Sequence, residues 1–103
     1  MSWNFVLVNG PYGGTTEGPA WDGSGLLFTF IPASQILCFD PESRSSTVYK
    51  SDTNNANGLV FDPDGNLYAC EGGARRVVRY EADGGVSVLA DNFEGKKFNV
   101  PND

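Results

Sequence analysis

Short runs rich in apolar residues recur along the chain, and five of the eight below end directly before aspartate or glutamate. Ala20-Trp21, Leu26-Leu27-Phe28, Ile36-Leu37-Cys38-Phe39 and Ser46-Thr47-Val48-Tyr49 follow one another in the first half. Leu59-Val60-Phe61, Leu67-Tyr68-Ala69-Cys70, Val77-Val78-Arg79-Tyr80 and Val86-Ser87-Val88-Leu89 follow in the second. Runs this short, bounded by turn residues, predict β-strands. Asp62-Pro63-Asp64-Gly65 and Ala82-Asp83-Gly84-Gly85 carry the chemistry of tight turns, because proline presets φ and glycine accepts positive φ. A helical period of 3.6 is absent, which excludes a helical solenoid.

The two halves repeat each other. Gly18-Pro19-Ala20-Trp21-Asp22-Gly23-Ser24-Gly25-Leu26-Leu27-Phe28 aligns without a gap on Gly58-Leu59-Val60-Phe61-Asp62-Pro63-Asp64-Gly65-Asn66-Leu67-Tyr68. After one inserted residue, Ile36–Asp40 answers Val77–Glu81, and Ser46–Tyr49 answers Val86–Leu89. Four strands in a unit of roughly 40–45 residues are the mark of a β-propeller blade. A small β-sandwich of about eight strands is the alternative, and the ungapped match argues against it. The expected organisation is all-β: one propeller segment over 1–103, with blade units at 15–52 and 56–91, an extra strand at 3–9, and the start of a third blade at 99–103. Two blades alone leave apolar sheet faces uncovered, so the chain is expected either to be part of a longer ring or to close one as a homotrimer. Trp21, Phe28, Phe39, Phe61, Tyr68 and Tyr80 recur at matched positions and are expected to pack between blades.

Composition narrows the function. With 103 residues the chain is one domain at most. A net charge of −6 gives no basic face, which disfavours nucleic acid and anionic membranes as partners. Arg75 and Arg76 read as a solvated strand edge, and Glu71 and Glu81 as strand ends or partners of Arg75 and Arg79. Cys38 and Cys70 stand inside apolar runs as small hydrophobes rather than as a disulfide framework. Without a leader-like start, a cytoplasmic location is the expectation.

The first strand of a propeller blade lines the central channel. Glu17 and Asn57, forty residues apart, each precede the matched glycine, and Asn102 follows forty-five residues later. A carboxylate and two amide oxygens converging on one axis suit a hard divalent cation. With no histidine in the chain, a zinc site of the usual kind is unavailable. An Asx side chain bonded to its own turn is the plainer reading of the same residues. Asp62-Pro63-Asp64-Gly65-Asn66 lacks the distal glutamate of a calcium loop and reads as a hairpin turn.

Thr16-Glu17-Gly18-Pro19-Ala20-Trp21, then Asn57-Gly58-Leu59-Val60-Phe61-Asp62-Pro63-Asp64-Gly65-Asn66-Leu67-Tyr68-Ala69-Cys70-Glu71, Arg75-Arg76-Val77, and Phe98-Asn99-Val100-Pro101-Asn102-Asp103 resemble, in this order, the first third of the gluconolactonase, senescence-marker-protein and luciferin-regenerating-enzyme family. The resemblance implies a six-bladed propeller that binds one divalent cation in its channel and hydrolyses sugar lactones. Ca²⁺ is the first expectation for that cation, with Mg²⁺, Mn²⁺ or Zn²⁺ as alternatives. It implies Glu17 as a metal ligand, Asn102 as a ligand or substrate contact, and Asp103 as its supporting, substrate-side neighbour; Asn57 is a further candidate ligand. Gly72 and Gly73 depart from the family's frequent histidine after Cys-Glu. The asparagine and aspartate that complete the family site, the aspartate as base, belong to later blades. The implied partners are a small lactone and either further copies of this chain or the remaining blades. The alternative function is a non-catalytic scaffold that holds a metal or a protein partner.

Overall fold

A computed structural model describes residues 4–103. Two four-stranded antiparallel meanders dominate it. The first runs β1 (Thr16–Trp21), β2 (Leu26–Phe30), β3 (Gln35–Asp40) and β4 (Ser45–Lys50), in that spatial order. The second runs β5 (Ala56–Phe61), β6 (Leu67–Glu71), β7 (Arg76–Tyr80) and β8 (Val86–Ala90), again in order. A single 3₁₀ turn, Ile31–Ala33, joins β2 to β3, and a two-stranded hairpin of β9 (Asn92–Phe93) and β10 (Lys96–Lys97) follows the second sheet. Neither of these short elements is foreshadowed by the alternation of apolar residues. Among the described residues no helix is long and apolar enough to cross a membrane.

Side chains alternate across each strand, so β2 buries Leu27 and Thr29 while β6 buries Leu67, Ala69 and Glu71. Leu27, Ile36, Ala56, Leu67, Ala69, Val78 and Tyr80 form one apolar cluster between the sheets. Burying a Leu or Val of this kind contributes about 1.5–3 kcal/mol each, and this shared core holds one unit against the next.

The ungapped sequence match hides a difference in pairing. Trp21 lies opposite Leu26, whereas Phe61 lies opposite Leu67. The second unit therefore turns through Asp62–Asn66 and the first through Asp22–Gly25, one residue shorter. The longer turn is drawn together by Asp62, whose Oδ1 accepts the N–H groups of Asp64 and Asn66 at 2.9 Å each.

Other expectations need correction. The strand anticipated at 3–9 does not form over residues 4–9, and Trp3 lies outside the described residues. A strand requires a neighbouring edge to complete its hydrogen bonds, and Phe5, at 96% exposure, has none. Residues 99–103 likewise form no strand. Trp21 is 54% exposed rather than packed between the sheets. On the outer face of the first sheet, Tyr12 packs against Phe28 and Phe30, with ring centroids 5.5 and 5.9 Å apart.

Glu71 is not a solvated strand end. It is 1% exposed, and it accepts hydrogen bonds from Tyr80 Oη at 2.6 Å, Arg76 Nε at 2.6 Å and Asn54 Nδ2 at 3.2 Å. The odd-numbered positions of β6 face the first sheet, which carries Glu71 inward with Leu67 and Ala69. Its cationic partner is Arg76, while Arg75 donates to the Phe98 carbonyl. Glu81 does pair with Arg79, at 2.8 Å and half-exposed.

Candidate metal and substrate site

The inner strands β1 and β5 carry the same irregularity at the same place. Pairing shifts between Glu17 and Ala20 in β1, and between Ala56 and Leu59 in β5. Such a bulge bends a strand and re-aims the side chain beside it. The glycines at the two bulges explain how the units approach. Gly18 has φ +55°, which favours glycine, and a Cβ there would strike the Asn57 carbonyl and come within 2.9 Å of the Leu59 nitrogen. A Cβ on Gly58 would strike the backbone of Asp103. Each matched glycine is thus the seat for the next polar residue in the series: Glu17-Gly18 abuts Asn57, and Asn57-Gly58 abuts Asn102-Asp103.

A buried hydroxyl fixes the first junction. Thr29, fully buried, lies opposite Glu17 in the β1–β2 ladder and donates from Oγ1 to the Asn57 carbonyl at 2.9 Å. Neither Thr29 nor the spacing role of the glycines emerges from sequence reasoning. Threonine in an apolar strand reads as one more β-former, although its repeat partner, Ala69, lacks the hydroxyl.

The side chains at this mouth differ in their bonding. Glu17 is exposed, and among the described residues its carboxylate accepts only a long bond, from the Gly18 N–H to Oε2 at 3.3 Å. Asn57 is half-buried, and its Oδ1 is enclosed with no hydrogen-bond partner. An enclosed amide oxygen without a donor costs about 1–3 kcal/mol, and a cation would offset that cost. Asn102 and Asp103 are exposed, and the Asn102 carbonyl accepts from Cys70 Sγ at 3.6 Å. A groove of about 550 Å³ runs beside them, lined by Gly18, Pro19, Gly58, Leu59, Cys70 and Asp103 among others. Burial pushes the Cys70 thiol up, and the Asp103 carboxylate adds to the shift, which favours the thiol over the thiolate.

Among the described residues, no three His, Cys, Asp or Glu side chains come together to hold a metal. Any cation at this mouth would depend on amide oxygens beside Glu17. The top loop of the second unit closes against its neighbours. A Cβ on Gly72 would lie 3.0 Å from Val100 Cγ1, and one on Gly73 would lie 2.8 Å from Asn55 Oδ1. A side chain at either position would have to displace packed atoms.

Comparison with known proteins places this arrangement. The family model described as SMP-30/Gluconolactonase/LRE-like region matches residues 15–103. A gluconolactonase of Zymomonas mobilis subsp. mobilis is 30% identical over 103 residues, an alignment that covers 85% of this chain and 29% of that protein. The solved gluconolactonase from Xanthomonas campestris superposes with a TM-score of 0.78 at 31% identity, covering 84% of this chain and 29% of the other. Virginiamycin B lyase from Staphylococcus aureus, at 20% identity and a TM-score of 0.59, shares the fold over 77% of this chain. The chain spans about 29% of the length of the gluconolactonases it matches. Its two meanders are propeller blades, and the chain belongs to the SMP-30/gluconolactonase/LRE-like family.

Proposed function

We propose that this chain supplies the first part of a divalent-metal-assisted lactone hydrolase site, completed only in a closed propeller. The observation that carries the reading is the enclosed, unpartnered Oδ1 of Asn57, a residue whose backbone abuts Gly18, the neighbour of the weakly bonded Glu17. Family membership adds to it, since the relatives matched are gluconolactonases.

Glu17, Asn57 and Asn102 would hold the cation, with Ca²⁺ as the best match to an all-oxygen set that mixes one carboxylate with amides. When bound, such an ion polarises a lactone carbonyl and lowers the pKa of a coordinated water. The chain's own residues do the rest of what is assigned here. Glu17 contributes the negative charge that balances the cation. Asn57 orients its amide oxygen from a backbone anchored by Thr29. Asp103 lines the groove, and with its neighbour Asn102 it would contact the lactone from the side of the third unit. The base that takes a proton from water belongs to the remainder of the ring, which further chain or further copies of this one supply.

The test is hydrolysis of gluconolactone by the ring-complete protein, with Glu17→Gln as the variant. Loss of about 10²-fold or more in kcat/KM is expected for removal of a metal ligand's charge. Unchanged turnover would remove Glu17 from the site. Calcium binding that survives without any turnover would favour the scaffold reading instead.

A further inference from the structure

A second concavity lies at the other end of the inner strands. β1 and β5 start at the mouth that carries Glu17 and Asn57 and end at Trp21 and Phe61. There Trp21, Tyr49, Phe61, Asp22 and Asp62 line a groove of about 440 Å³, which no lysine or arginine lines. Its size falls within the usual range for small-ligand sites, roughly 300–1,000 Å³. Both walls come from this chain, one from each blade. Trp21 and Tyr49 stand 54% and 52% exposed, so much of each aromatic side chain is open to a ligand.

The carboxylates of the groove are fixed, Asp62 through both oxygens and Asp22 through one. Asp62 Oδ1 accepts from the Asp64 and Asn66 N–H groups, and Oδ2 accepts from Asn66 Nδ2 at 2.9 Å and Tyr68 Oη at 2.8 Å. Asp22 Oδ1 accepts from the N–H groups of Ser24 at 2.8 Å and Gly25 at 2.7 Å. These bonds hold both carboxyls below the usual range, that of Asp62 at about 2, so the groove is anionic at neutral pH. A neighbouring ammonium already uses an aromatic face in this interface, where Lys50 Nζ lies 4.9 Å from the centroid of the Tyr80 ring.

This pattern selects a class of ligand. A bare metal ion would have to displace the turn's own donors from Asp62. A primary ammonium or a guanidinium brings several N–H donors and finds one carboxylate oxygen of the groove, Asp22 Oδ2, without a bond from its own turn, too few to replace the water those donors give up. A cation with no N–H suffers neither penalty, since its methyl groups rest on aromatic surface while the fixed carboxylates attract its charge. We propose that the groove between Trp21, Tyr49 and Phe61 binds a quaternary ammonium group of the choline type.

The experiment is a proton-NMR titration of the protein with choline and, separately, with dimethylbutanol, its uncharged carbon isostere. The Trp21 indole signal, assigned by its loss in Trp21→Phe, reports on the groove. We expect a saturable shift with choline and an affinity about two- to fivefold weaker or worse for the isostere. Tyr49→Ala, at a half-exposed position on an outer strand, is expected to weaken choline by a similar factor, and so is Asp22→Asn. Equal binding of choline and its isostere would overturn the assignment. So would a non-saturating response, or choline affinity unchanged in both variants.

Discussion

Thr29 Oγ1 donates to the backbone carbonyl of Asn57 at 2.9 Å across the junction between the blades. The bond ties the strand paired with Glu17 to the residue whose amide oxygen is enclosed and unpartnered. The approach of β5 to the first blade therefore depends in part on one buried hydroxyl.

Thr29→Val keeps the shape and removes the donor. The Asn57 carbonyl then loses its partner, and we expect a loss of about 1–3 kcal/mol in urea unfolding with little change in the slope. Cation affinity should fall with it, because Asn57 would no longer be held in place.

Gly18→Ala and Gly23→Ala separate steric from conformational effects. Both glycines have positive φ, +55° and +109°, but a Cβ on Gly23 meets nothing within 4 Å, whereas one on Gly18 strikes Asn57. Gly23→Ala should cost about 1–3 kcal/mol from backbone strain alone. Gly18→Ala should cost clearly more by thermal or chemical unfolding, since the blades must move apart.

Glu71→Leu strands Arg76 and Tyr80 at the blade junction. Arg76 is 27% exposed and regains water, but the enclosed Tyr80 hydroxyl loses its acceptor, a cost of about 1–3 kcal/mol that urea unfolding should show. In the native protein, burial first and then Glu71 push the Tyr80 phenol upward. Because that folded-state pKa is raised, the stability linked to it is complete below the ordinary tyrosine pKa near 10 and is lost as pH rises further. Absorbance titration should find Tyr80 ionising above the ordinary tyrosine range, and Glu71→Gln should lower its transition.

Asp62 gives the opposite sign at low pH. Hydrogen bonds from Asn66 lower its carboxyl from 3.8 to about 2. The stability it contributes is present above the unfolded value and is lost as pH falls from there through about 2. Asp62→Asn should flatten acid unfolding in that window, as followed by circular dichroism, and leave the neutral-pH baseline nearly flat.

The blades were legible because the first and third strands of each unit repeat an aromatic-acidic ending, Trp21-Asp22 with Phe61-Asp62 and Phe39-Asp40 with Tyr80-Glu81. The inner-strand glycines could be matched, but the bulges at Gly18 and Gly58 arise from pairing, which one chain read in isolation does not reveal. Glu71 misleads because charge usually marks a solvated face. Its inward placement depends on Tyr80 and Arg76 arriving from the next strand and Asn54 from the linker between blades. The β9–β10 hairpin escapes notice because neither strand is apolar: both are exposed, and Lys96-Lys97 pairs with Asn92-Phe93 through backbone alone. Asn57, Asn102 and Asp103 are common turn residues in any sequence, and only the seating of Asn57 on Gly18 and of Asp103 on Gly58 sets this series apart.

The central claim is that Glu17 and Asn57 share a cation. Calcium titration calorimetry on the closed ring, comparing the native sequence with Glu17→Gln and Asn57→Ala, tests it most directly. One saturable site is expected, weakened about tenfold or more by each substitution. Calcium binding of native strength in both variants would contradict it.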